Sequence, residues 1–120
     1  MLTSDCNWQR SQLGYCSNVH AGATLAQMER VVGHHMRNVR QLRNLAQMDA
    51  GLWLGARVAR ELRSTPQKLL GFTRLLAENG VALRTLNGFP FDDFHGSRVK
   101  EDVYLPHWAD PERLDYTLDL

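Results

Sequence analysis

The sequence predicts an α/β protein with a parallel sheet, formed by the N-terminal three or so β/α units of a (β/α)8 TIM barrel that is itself incomplete. Three observations predict it. Strand-like and helix-like segments alternate along the 120 residues, the order that gives parallel strands joined by right-handed crossovers. Only three strands are counted, too few to close a barrel, and they leave bare edges. The last helix is apolar and runs to Leu120 with no Gly cap or polar tail. A compact three-stranded α/β domain is the competing reading.

Each element has its own signal. Residues 1–12, MLTSDCNWQRSQ, are polar and lack an apolar run, so they are expected as a disordered leader rather than a secretory signal. Residues 13–120 are expected as the barrel portion. Residues 13–18 are short and mixed in polarity, as a strand is, and Val19-His-Ala-Gly22 follows as a turn. Thr24 and Gln27 have the spacing of a capping box. From there Leu25, Met28, Val31, Val32, Met36, Val39, Leu42 and Leu45 recur at steps of three and four, one buried stripe of an amphipathic helix. Residues 51–54 read as a second strand and residues 56–62 as a helix. Thr65-Pro66 starts another helix, with Pro at the first helical position, and Leu69, Leu70, Phe72, Leu75 and Leu76 are expected on its inner face. Asn79-Gly80 supplies a left-handed stop, and residues 81–86 make the third strand. The loop from Asn87 to about Ala109 is long. Such loops are usually functional or disordered, and Phe89, Phe91, Phe94, Tyr104 and Trp108 argue for order. Asp110-Pro111 opens the last helix.

Composition narrows the function classes. The net charge is +1, but nine Lys/Arg face four acids over residues 1–70, and five face nine thereafter. The basic residues fall at helical spacing without interleaved aromatics, so solvated helix faces are expected and nucleic acid is not. No apolar run is long enough to span a membrane. Cys6 and Cys16 form no disulfide framework, redox pair or zinc site, so a cytoplasmic, reduced setting is the default. Cys16 is expected as a small buried strand residue. No GxGxxG, GxxxxGK[ST] or GxSxG motif is present.

Ligands of parallel α/β sheets sit at the C-terminal ends of the strands. That location selects Asn18 and His20 after the first strand. It selects the segment 54–57 after the second. After the third it selects Asn87, Asp92, Asp93 and His95 within LRTLNGFPFDDFHG, residues 83–96. His20 and His95 are the candidate acid/base groups or metal ligands, because a neutral imidazole serves either role near pH 7. The plainer alternative for His20 is a turn residue bonded to a backbone carbonyl. Asp92 and Asp93 could orient the His95 ring or share Mg²⁺, Mn²⁺ or Zn²⁺ with it; the plainer alternative is that they are turn formers after Pro90. Asn18, Asn87 and Asp92 are candidates for holding substrate hydroxyls, and Lys100, with Arg98, for a phosphate or carboxylate. His34 and His35 are adjacent in a helix and do not share a face, so both are read as structural.

Three stretches together resemble a known family: Tyr15-Cys-Ser-Asn-Val-His20, residues 85–96, and residues 99–108, followed by Arg113 and Tyr116-Thr-Leu118. They resemble the bacterial metabolite traffic protein EboE family, related to the xylose isomerase-like TIM barrels, a group with sugar isomerases, sugar phosphate epimerases and endonuclease IV-type enzymes. Ser17 departs from that pattern where Thr is expected, and Phe91 where Tyr is expected. The resemblance implies a barrel more than twice this length, tied to handling or export of a secondary-metabolite precursor. It implies a small-molecule metabolite as partner, a divalent metal in the full-length protein, and contacts with a second copy or with other proteins of the same operon. Metal ligands in the related isomerases lie largely on later strands. An isomerase-like enzyme is the first expectation, a non-catalytic metabolite carrier the second. A DNA enzyme is the third, disfavoured by the acidic second half. The 120-residue piece is expected to be poorly stable or self-associating, because its sheet edges lack partners.

Overall fold

The structure, a computed structural model, describes residues 9–95 and 102–120. Its centre is a three-stranded parallel sheet of β1 (Tyr15–Cys16), β2 (Met48–Trp53) and β3 (Val81–Asn87), in the order β1-β2-β3. Chain order and spatial order coincide, as they do when each crossover adds the next strand on the same side. Tyr15 pairs with Ala50, and Met48 with Val81.

A period of two along β2 sets the core. Met48, Ala50 and Leu52 are buried, while Asp49 and Gly51 between them are only partly covered. Alternate side chains of a strand point to opposite faces, so the sheet has one packed face and one more open face. Helices cover the packed face: α1 (Leu25–Arg30) contributes Leu25 and Met28, α3 (Ala56–Ser64) contributes Val58 and Leu62, and α4 (Pro66–Glu78) contributes Phe72 and Leu76. All belong to one cluster with Met48, Ala50 and Leu52. On the opposite face Arg84 Nε bonds Asp49 Oδ1 at 3.0 Å.

One extra residue in β3 shifts the register between Ala50 and Gly51. Leu83 and Leu86, three apart, therefore reach the same side, where both line an apolar groove with Leu62, Leu69, Phe72 and Leu76. A bulge resets the alternation of a strand in this way.

Several local expectations meet the structure closely. Thr24 Oγ1 accepts from Gln27 N while Gln27 Oε1 accepts from Thr24 N, so the capping box forms. Gly80 has φ +65°, and a Cβ there would stand 2.8 Å from the Ala46 carbonyl oxygen, which is why glycine follows Asn79. Pro66 opens α4 and Pro111 opens α5 (Pro111–Asp119).

Others are corrected. The first strand is two residues long, and Ser17–Val19 turn into a 3-10 helix instead of extending to Asn18. Cys16 is exposed, not buried. Arg10–Gln12 form a 3-10 turn, tied down by Arg43, which donates to the Leu13 and Arg10 carbonyls at 2.7 and 2.9 Å. Residues 1–8 of the expected leader lie outside the described residues. The long helix is not one regular stripe. Between α1 and α2 (Arg37–Leu42) it passes through a π-helical segment, Val31–Met36. The wider turn holds more residues and sets the later ones back around the axis, so Leu42 is 87% exposed while Val39 and Leu45 keep partial contact with the core. Leu69 and Leu70 are also exposed, because α4 turns Phe72 and Leu76 inward. No helix among the described residues is long and apolar enough to cross a membrane.

Candidate functional site

The loop leaving β3 is held by its backbone. The Trp53 indole Nε1 donates to the Pro90 carbonyl at 2.7 Å, and the Tyr116 hydroxyl donates to the same oxygen at 3.2 Å and to the Leu54 carbonyl. Ala56 N, at the start of α3, donates to the Phe91 carbonyl at 2.8 Å. Arg113 from α5 donates through Nη1 to the Gly88 and Phe89 carbonyls at 3.1 and 2.5 Å, and through Nε to the Pro106 carbonyl at 3.0 Å.

Arg113 is 2% exposed, yet among the described residues no carboxylate lies within ion-pair distance of it. A buried charge requires compensation. Here carbonyl dipoles supply it, together with the rings of Phe89, Phe91, Trp108 and Tyr116, whose centroids lie 5.2 to 5.8 Å from the guanidinium carbon. Burial pushes the Tyr116 phenol up to about 12, against smaller opposing effects of Arg113 and the Trp53 hydrogen bond.

The pinned loop explains the fate of its decorated residues. Asn87 Oδ1 accepts from Phe89 N at 3.0 Å, Asp92 Oδ1 from Asp93 N at 2.9 Å, and Asp93 Oδ1 from His95 N at 2.9 Å. All three side chains shape turns, the plainer of the two readings of the sequence. Phe94 stands edge-on to Trp53 with centroids 4.7 Å apart, and His95 lies exposed against Phe94, 4.2 Å between centroids. Asp92 and Asp93 also border an open cavity of about 620 Å³ with Asp102, Asp110 and Glu112. Lys100 and Arg98 lie outside the described residues.

At the end of β1, Ser17 is buried and its Oγ accepts from Trp53 N at 2.8 Å, joining the first two strand ends. The Asn18 Oδ1 is buried and has no hydrogen-bond partner among the described residues. His20 Nε2 is 2.7 Å from the Tyr15 hydroxyl. Its ring lies on that of His35, centroids 4.1 Å apart and planes 11° apart, and His35 meets His34 edge-on at 5.1 Å. Burial holds the His20 imidazole below the usual histidine range, with smaller contributions from His35 and from His95.

His35 was not among the residues the sequence marked. His34 and His35, expected on different faces, meet edge-on, and that expectation also overlooked the turn histidine fifteen residues earlier. The π segment carries His35 itself, and π turns recur at functional sites; nothing in the spacing of the apolar residues announced it. Trp53, Arg113 and Tyr116, which hold the loop, were equally invisible as a group, since they come from three elements far apart in sequence.

The described residues do not assemble a metal centre: no group of three or more His, Cys, Asp or Glu side chains among them stands ready to hold an ion. The stacked pair is itself unsuited to chelation, because imidazole lone pairs lie in the ring plane and two parallel rings do not aim them at one point. What the arrangement offers is hydrogen bonding: a part-buried imidazole, an unpartnered amide oxygen and an exposed imidazole beside strand ends. Comparison of the chain with protein-family models, with curated proteins and with solved structures gives no match.

Proposed function

We propose that the chain is the N-terminal portion of a sugar isomerase- or epimerase-like barrel of the EboE kind, which binds a small polyhydroxylated or carbonyl metabolite in the cytoplasm as part of secondary-metabolite handling. The observation that carries this reading is the end of the first strand, where His20 lies against Tyr15 and His35 and the buried Asn18 oxygen has no partner among the described residues. Unsatisfied buried polar atoms call for a reason, and in this reading a small shift of the Asn18 side chain brings its oxygen to a ligand hydroxyl. The fold is compatible with that reading: strands in the order β1-β2-β3 with their helices in one core on one face fit three β/α units of a barrel, as they also fit one half of a doubly wound sheet.

In this reading His20 and His95 hold or move protons at the ligand, and Asn18 accepts from a hydroxyl. Asn87, Asp92 and Asp93 act indirectly, by fixing the loop. Non-catalytic carriage of the metabolite is the second reading, favoured by those three side chains being engaged in turns.

The test is an isomerisation assay on the protein with a panel of aldoses, ketoses and sugar phosphates, with and without divalent cations, beside calorimetric binding. Turnover that is lost in His20→Ala and His95→Ala supports the enzyme. Binding without turnover supports the carrier. Neither binding nor turnover across the panel overturns both.

A further inference from the structure

We propose that Tyr15 and His35 are positioning residues that hold His20 as the neutral Nδ1–H tautomer, so that His20 meets its ligand as a hydrogen-bond donor and not as a base. This rests on the reading of the strand ends as a ligand site, but its own support is local geometry.

His20 has two ring nitrogens, and one of them is occupied. Nε2 lies 2.7 Å from the Tyr15 hydroxyl. A phenol is a strong hydrogen-bond donor and an unprotonated imidazole nitrogen a strong acceptor, so the bond runs from Tyr15 O–H to Nε2. A neutral imidazole carries its one proton on the other nitrogen, which places it on Nδ1. The plane of the ring is fixed independently by His35, whose imidazole lies 4.1 Å away and 11° from parallel. His35 in turn is backed edge-on by His34.

The groups facing His20 also favour its neutral form. From β1 it meets the Tyr15 phenol and from the π segment the His35 ring, and His95, on the loop after β3, adds a smaller effect in the same direction. Among the described residues no carboxylate reaches it within ion-pair distance. A base would need a group to stabilise the imidazolium; this environment supplies none. A neutral Nδ1–H suits a carbonyl or hydroxyl oxygen, the acceptor that a polyhydroxylated ligand presents.

The ring nitrogens of ¹⁵N-labelled protein report the tautomer directly in long-range ¹H–¹⁵N correlation spectra near pH 8. His107 serves as the internal reference, because its Nδ1 accepts from Ala109 N at 3.2 Å and it must carry its proton on Nε2. We expect His20 to show a protonated Nδ1 and an unprotonated Nε2, the reverse of His107. In Tyr15→Phe, which keeps the ring packing, the two His20 nitrogen signals should shift toward each other as both tautomers populate. His35→Phe, which keeps the stack, should preserve the wild-type pattern, and His35→Ala should lose the fixed ring signal. An Nε2–H pattern at His20, or a pattern unmoved by Tyr15→Phe and His35→Ala while His107 is unchanged, overturns the proposal. Because no ligand is needed, failure here is separable from failure to bind a metabolite.

Discussion

The Trp53 indole N–H donates to the Pro90 carbonyl at 2.7 Å, so the end of β2 holds the loop that leaves β3. Replacing Trp53 by Phe keeps most of the apolar volume and removes the donor. The Pro90 oxygen retains Tyr116, so the expected loss is about 1–2 kcal/mol in unfolding free energy, the ordinary value for one buried hydrogen bond and some packing. Urea denaturation followed by far-UV circular dichroism measures it. The amides of residues 89 and 91–95 should also exchange faster with solvent.

Arg113 holds three carbonyls from a 2% exposed position. Arg113→Leu leaves those oxygens without their donor and should cost about 3 kcal/mol. Arg113→Lys should recover little, because a single ammonium cannot reproduce a planar fork that bonds in three directions. Chemical denaturation of both variants checks this, and full rescue by Lys would show that charge alone matters.

Tyr116 gives the protein an alkaline limit. Its folded value is raised to about 12 from the ordinary 10, chiefly by burial, so the folded state keeps the proton more firmly than the unfolded chain. The stabilisation is complete below pH 10 and is lost as pH rises from 10 toward 12. Tyr116→Phe should lower stability near neutral pH by about 1–2 kcal/mol, through the lost bonds to Leu54 and Pro90. It should also flatten the decline between pH 10 and 12, which melting temperatures across that range record.

His20 acts at the acid end. Its folded value lies below 6.5, so between the two values the unfolded chain binds more protons than the folded one. Stability therefore rises with pH through that window and falls as the solution is acidified below about 6.5. His20→Gln should remove part of that acid slope and leave stability above pH 7 nearly unchanged, as denaturation curves at pH 5, 6, 7 and 8 would reveal.

Much of the fold was legible because its signals are local. Thr24 and Gln27 cap a helix by a contact three residues apart, Gly80 stops one by its own φ, and Pro66 and Pro111 open theirs by geometry that each carries alone. The misplacements came from effects without a local sign. A π turn in residues 31–36 displaced Leu42 from the expected stripe, and a bulge in β3 put Leu83 and Leu86 on one side. For the site, strand ends alone selected His20, His95 and Asn18 as candidates. They were not enough to separate Asn87 and Asp92, which shape turns, from residues free to meet a ligand. The pairing of His20 with His35 required knowing how a helix lies beside a strand, which no spacing in the chain encodes.

The most direct measurement is a shift map of the ¹⁵N-labelled protein titrated with the polyhydroxylated compounds of the proposed class. The strand-end site predicts saturable changes at the Asn18 side-chain amide, the His20 and His95 ring nitrogens and the amides of the loop that leaves β3, all weakened in His20→Ala. Changes confined to the apolar groove around Leu83 and Leu86, or to the acidic cavity around Asp102 and Glu112, would contradict it.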